Sequence, residues 1–514
     1  MNRQQLEINK VIAKGSSIVF LGMLLAKLGD FPASIIIARY FGPYDYGLLS
    51  IAWVISGVIA GVSVLGMGMG ISRFIPYYRE REELDQLKRI LLFGAKTTLL
   101  VSLPVTFVIF FCSDWFAFYV FKDINLTPLI QIASISIPFA ALLQYGTGLF
   151  RGIKKLHYIF YYNDLARPIL QLFFLFVIII AGLNILHVVI SRLLVTLMIL
   201  GLAFYIFAQD EIVTELRERK PRGSVREFVH YSYPLGVTVI VNFARQRFDL
   251  LLIGAFLGAR DTGIYNIAIS LAIILTIPLT GINRILLPVT SELYSKGRKK
   301  DLAITYKTMS RWCLTIVLPF FMVIVFFSKQ IILFIFGSEY IAAAEPLCII
   351  SLGIFINVSM GSFGEFLQAH GRSRMVMAIS IIGSLLNVTC LFILVPLYAM
   401  RGAALSFAIS MVIMNILGVY SLMMHRIHPF SKKYFCVLLI GITLYTVLFG
   451  LLRNIVSPHL NLFWIGIAFL MSLFLYGFIL FYFNGFSEEE KEMLITCRRK
   501  ISPFNQRNNI TNAN

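Results

Sequence analysis

The sequence predicts an all-α, polytopic membrane protein of about fourteen transmembrane helices, arranged as two six-helix lobes followed by a C-terminal helix pair. Three observations predict it. Apolar residues make up 58% of the 514 and charged residues only 14%, where a soluble chain is nearer 45–50% apolar and about 25% charged. The apolar excess is gathered into blocks of roughly 20 residues, the length that crosses a hydrocarbon core of about 30 Å. Lysine and arginine alternate between rich and poor connecting segments, and a motif after the first block recurs after the seventh.

The blocks fall at 16–37, 48–70, 91–112, 128–150, 164–182, 187–208, 231–256, 264–288, 312–334, 345–368, 376–396, 402–424, 434–452 and 461–484. The first is too long for the apolar region of a signal peptide and carries Lys27 and Asp30, so it reads as a span. With the N-terminus inside, the inner segments hold 32 Lys and Arg and the outer ones 5. That bias obeys the positive-inside rule and puts both termini in the cytoplasm. The net charge of +19 is therefore a topology signal, with anionic headgroups as a secondary partner, and not the mark of a nucleic-acid binder. The division is 1–210 for helices 1–6, 211–430 for helices 7–12, 431–485 for helices 13 and 14, and 486–514 for a cytoplasmic tail.

The repeat pairs ARYFGPYDYGLLSIA (38–52) with GAFLGARDTGIYNIA (254–268). A shift of 216 residues lays Gly42, Asp45, Gly47, Ile51 and Ala52 on Gly258, Asp261, Gly263, Ile267 and Ala268. Both are outer hairpins, in which Asp suits a helix N-cap and Gly the unusual turn angles. Parallel repeats of this kind are related by an axis along the membrane normal.

Eight basic residues fall inside the spans. Lys96, Arg167, Arg192 and Lys329 lie near helix ends, from which long side chains reach the interface. Lys27, Arg245, Arg247 and Arg284 lie deeper. A charge at the bilayer centre costs about 2.5–3.5 kcal/mol, so each should face protein or water. In helix 7, Asn242, Arg245, Gln246 and Asp249 follow i, i+3, i+4, i+7 and share one stripe, within which Arg245 and Asp249 can pair. Arg247 sits about 200° around from Arg245 and needs another partner or a second polar surface. Helix 1 carries Lys27, Asp30 and Ser34 at related spacing, and helix 10 offers Asn357, Glu365 and Gln368. The simplest arrangement is a wet cavity between the lobes, lined by helices 1 and 7. Deep ion pairs that only glue helices together are the rival reading.

The six cysteines and seven histidines show no metal-ligand spacing, so no metal is expected. No P-loop or other enzyme signature occurs, so neither a nucleotide nor another cofactor is expected.

Fourteen spans, two lobes, the FGPYDYG turn and the basic helix-7 stripe resemble the O-antigen-type flippases, or polysaccharide biosynthesis proteins, of the multidrug/oligosaccharidyl-lipid/polysaccharide exporter superfamily. The resemblance implies a non-enzymatic transporter in the cytoplasmic membrane. It would flip a polyprenyl-(pyro)phosphate-linked oligosaccharide by alternating access, with H+ or Na+ as candidate coupling ions. It makes Lys27, Arg245, Arg247 and Arg284, with Asn242 and Gln246, candidates for holding the cargo. Asp30, Asp249 and Glu365 become candidates for ion coupling or charge pairing. The alternatives are a lipid II-type flippase, a multidrug or cation antiporter of the same superfamily, and, from another class, a membrane glycosyltransferase or polymerase. An antiporter favours acidic sites, and a polymerase a long outer loop, which this chain lacks.

Overall fold

The computed structural model describes residues 3–295, 299–424, 430, 432–455 and 462–482, and within these ranges the side chains of 3–29, 244–245 and 284–285, among others, are not described. The expected tail, 486–514, lies outside the described residues. Every regular element among the described residues is helical. Among the described residues, nine helices are long and apolar enough to cross a membrane, or ten if the bent pair Leu126–Ile135 and Ile137–Gly152, which meet at 43°, is one span. Two of the nine run for 51 residues. At 1.5 Å per residue each would measure roughly 76 Å, far more than a single hydrocarbon core, and each is broken part-way, at Gly42 and at Ala399. The helix Arg226–Leu257 is also long, but its charges keep it outside that apolar set.

The internal repeat is visible in the backbone. Gly42 has φ 79° and ψ 175°, and Gly258 has φ 96° and ψ 179°. Both lie in the left-handed region that glycine alone enters without strain. Gly258, not the aspartate, is the N-cap of Ala259–Ala272, and Asp261 stands in that helix's first turn. The carboxylate there faces the positive end of the helix dipole instead of capping it.

The two hairpins pack on each other through their paired glycines. A Cβ on Gly47 would lie 1.7 Å from the carbonyl oxygen of Ala259, and one on Gly263 would lie 2.1 Å from that of Pro43. Pro43 and Ala259 are themselves 216 apart, so the contact is nearly symmetric. Helix 1 is held to the second half as well. The buried hydroxyl of Tyr340 donates to the Ala38 carbonyl at 2.8 Å, and Arg39 donates to the Phe334 carbonyl.

The apolar cores follow the same geometry. One large cluster joins both halves of the chain around these hairpins, from Ile37, Ala38 and Leu49 to Ile253, Ile267 and Leu347. Elsewhere the core divides. One cluster is built from residues between Ala60 and Phe228, and another from residues between Leu286 and Leu422. The start of Arg226–Leu257 goes with the first of these, because Gly66, at φ 72°, and Gly70 pack against Ser232 and Gly236. The first half is also tied across its connecting segments. Arg79 pairs with Glu215 at 2.6 Å and Lys155 with Asp210 at 2.8 Å. Hydrogen bonding to Asp210 holds the Lys155 ammonium above its usual pKa.

A further break occurs at Gly361, φ 78°, between Ala344–Met360 and Phe363–Ala369. The Met360 carbonyl that the break frees accepts from the hydroxyls of Tyr306 at 3.0 Å and Ser310 at 3.1 Å. Buried backbone acceptors need such partners.

Candidate functional site

A cavity of about 630 Å³ lies among helices of both halves. Most contribute a stripe at helical spacing. The limb before Gly42 supplies Asp30 and Ser34, and the limb after it Tyr46, Ser50 and Trp53. Arg167–Ile180 supplies Arg167 and Gln171, and Ile185–Ala208 supplies Arg192. From the second half come Phe243, Arg247 and Leu250 on Arg226–Leu257, and Asn266 and Ser270 on Ala259–Ala272. Among the described residues, three guanidiniums thus line the space against one carboxylate, that of Asp30.

Several of these groups are held in place. The Arg192 guanidinium stacks over the Trp53 ring, 4.0 Å from its centroid, a cation–π contact that fixes a charge without neutralising it. Gln171 Nε2 donates to Ser191 Oγ at 3.2 Å, tying the helix of Arg167 to that of Arg192. Asn266 Nδ2 donates to Tyr46 Oη at 3.2 Å and to Ser50 Oγ at 2.8 Å, across the junction of the two halves. Ser50 and Asn266 are again 216 residues apart.

The structure sorts the sequence candidates. Arg247 and Asp30 line the cavity. Asn242 and Gln246 are exposed and do not line it. Asp249 is 2% exposed and does not line it, accepting from Tyr265 Oη at 3.2 Å and from the Leu250 amide at 2.8 Å. Glu365 accepts from Ser362 Oγ in the first turn of Phe363–Ala369, away from the arginines. In helix 10, Asn357 donates to Asn415 at 3.3 Å and Gln368 is exposed. The side chains of Lys27, Arg245 and Arg284 lie outside the described residues.

Of helix 7, Phe243, Arg247 and Leu250 line the cavity, at i, i+4 and i+7. That resolves the position of Arg247, whose angular offset from Arg245 places it on this second surface. Arg167 and Arg192, expected at the interface, instead reach the cavity. A signal for Arg167 was available: Gln171 lies four residues on, giving an otherwise apolar helix one polar face. For Arg192 the signal was weaker, since its partner Trp53 is distant in sequence.

The chemistry open to this lining is anion binding. Guanidinium presents a planar fork that matches phosphate or carboxylate oxygens, and a low-dielectric surround strengthens the pairing. Among the described residues, no group of three or more His, Cys, Asp and Glu is placed to hold a metal.

Known proteins share the family and the fold of this chain. The family model described as "Polysaccharide biosynthesis protein" matches residues 36–345, more than half of the chain. A protein of Haloferax volcanii named "Probable low-salt glycan biosynthesis flippase Agl15" is 24% identical over 41% of this chain and 45% of its own length. The lipid II flippase MurJ in an inward closed conformation superposes with a TM-score of 0.70, at 17% identity, over 91% of this chain and 99% of its own. An inward-facing multidrug resistance MATE family transporter of the MOP superfamily superposes with a TM-score of 0.67, at 15% identity, over 78% of this chain and 94% of its own.

Proposed function

Since the chain belongs to the polysaccharide biosynthesis protein family and is a multi-pass membrane transporter rather than an enzyme, we propose that it flips a polyprenyl-(pyro)phosphate-linked oligosaccharide across the cytoplasmic membrane by alternating access. The observation that carries this reading is the cavity's charge: Arg167, Arg192 and Arg247 against Asp30. A headgroup bearing one or two phosphates balances that excess, whereas a cationic drug is repelled by it. The headgroup then crosses without entering hydrocarbon, where a lone charge costs about 2.5–3.5 kcal/mol even at a helix centre. The polyprenyl tail stays in the lipid.

In this reading the lobes are 1–210 and 211–430, with helices 13 and 14 and a cytoplasmic tail completing fourteen crossings. Both termini face the cytoplasm, and the end bearing Gly42 and Gly258 faces out. Asp30, the carboxylate in this lining, couples the cycle to an H+ or Na+ gradient. A membrane potential biases the movement of each charge by about 2.3 kcal/mol per 100 mV, so no nucleotide is called for.

The decisive experiment is reconstitution. Purified protein in vesicles should accelerate the appearance of a fluorescent polyprenyl-pyrophosphate oligosaccharide in the opposite leaflet, judged by quenching from one side. A rate no faster than empty vesicles, together with gradient-driven export of an organic cation, would overturn the assignment. Orientation has its own test. With native cysteines replaced, Arg260→Cys in intact cells should react with an impermeant maleimide and Lys299→Cys should not. The reverse pattern inverts the topology.

A further inference from the structure

The cavity lining separates into two chemistries. The charges of Arg167, Arg192 and Arg247 stand on three helices. Apart from them, Tyr46, Ser50, Asn266 and Ser270 form a neutral polar cluster on the limb after Gly42 and on Ala259–Ala272. Coulomb attraction steers phosphate to the arginines, and the uncharged cluster offers it no comparable pull. What the cluster offers is paired hydrogen-bond donors and acceptors.

Those same groups join the two halves. The amide of Asn266 bridges to Tyr46 and Ser50, and each of Ser50 and Asn266 lies three residues beyond a glycine packed on the opposite half's backbone, Gly47 and Gly263. Tyr46 and Ser50 are each only 2% exposed and Asn266 is half-buried at the cavity wall, so their bonds are largely shielded from bulk water yet within reach of a molecule in the cavity. An interlobe bond of this kind parts readily only if another group takes each end, because a buried donor or acceptor left unpaired costs about 1–3 kcal/mol. A sugar hydroxyl can do so, since it both donates and accepts.

Resting on the flippase reading above, we infer that the Tyr46–Ser50–Asn266 cluster is the sugar subsite, and that cargo hydroxyls replace the bonds that latch the two halves together. Recognition of the glycan and release of the hairpin end are then one event. A bare polyprenyl pyrophosphate docks on the arginines but leaves the latch closed.

The test uses the full-length protein in detergent, two lipids (polyprenyl pyrophosphate with and without an attached disaccharide), and two readouts. The first is relative affinity. Wild type should prefer the glycosylated lipid, and Asn266→Ala should lose about tenfold of that preference, the worth of one to two hydrogen bonds. The second is gating. Ile37 lines the cavity and is 1% exposed. In a background without native cysteines, Ile37→Cys should react with a maleimide only when the glycosylated lipid is present. Adding Asn266→Ala should make it reactive without cargo. Retained preference and unchanged labelling in Asn266→Ala overturn the inference and leave the flippase reading standing. Failure of the wild type to bind either lipid sinks the flippase reading itself. Should Asn266→Ala bind neither lipid while wild type binds both, Ser50→Ala, which removes one buried hydroxyl, decides by the same two readouts.

Discussion

Arg247→Ala should slow glycolipid translocation about 10- to 150-fold, the loss expected when one charged hydrogen bond worth roughly 1.5–3 kcal/mol is removed. Arg192→Ala should act similarly. Both line the cavity, and Arg192 is already oriented by the Trp53 ring, so little ordering entropy remains to be lost on binding. Arg247→Lys keeps the charge but gives up the planar fork, and should fall between alanine and wild type. The measurement is the initial rate in reconstituted vesicles, with folding checked by size-exclusion chromatography. Wild-type rates in Arg247→Ala would remove the phosphate from this cavity.

Gly47→Ala should displace the conformational equilibrium as strongly, by a different route. The added Cβ meets the Ala259 carbonyl oxygen at 1.7 Å, and that obstacle is backbone, which cannot rotate aside. Overpacking typically costs about 1–3 kcal/mol, and here only the state with the hairpins in contact bears it. The population with this end apart should therefore rise about 5- to 150-fold, and the cycle should stall there. Labelling of Ile37→Cys without cargo reports the shift. Gly146→Ala is the control, since a Cβ there meets nothing within 4 Å. Equal labelling in the two variants would mean that the glycine contact does not govern this end.

How much of this was legible in the residues depends on the range of the interaction. The membrane class was, because hydropathy is summed locally. So was the repeat: of the glycines aligned at a shift of 216, one pair, Gly42 and Gly258, takes matching positive-φ conformations. The conspicuous charges of helix 7 were legible as an anomaly, but their direction was not. A single helix defines angles between its own residues and cannot say which face meets which neighbour. Asp249 is spaced to pair with Arg245, whose side chain lies outside the described residues, and nothing in that spacing reveals its hydroxyl donor Tyr265, brought back by the turn at Gly258. Arg192 looked interfacial, because nothing in its own helix reveals the Trp53 ring that receives it. Spacing suited Asp261 to an N-cap, but the φ of Gly258 moved the helix start three residues earlier.

The single core shared by both halves around the hairpins, against separate cores elsewhere, has a thermodynamic consequence. Each time the hairpin end opens, part of a common hydrophobic mass must be split and then rejoined. Wetting apolar surface raises heat capacity. Turnover limited by that opening would bend an Arrhenius plot instead of following a line, and the curvature would gauge how much oily surface the molecule uncovers in each cycle.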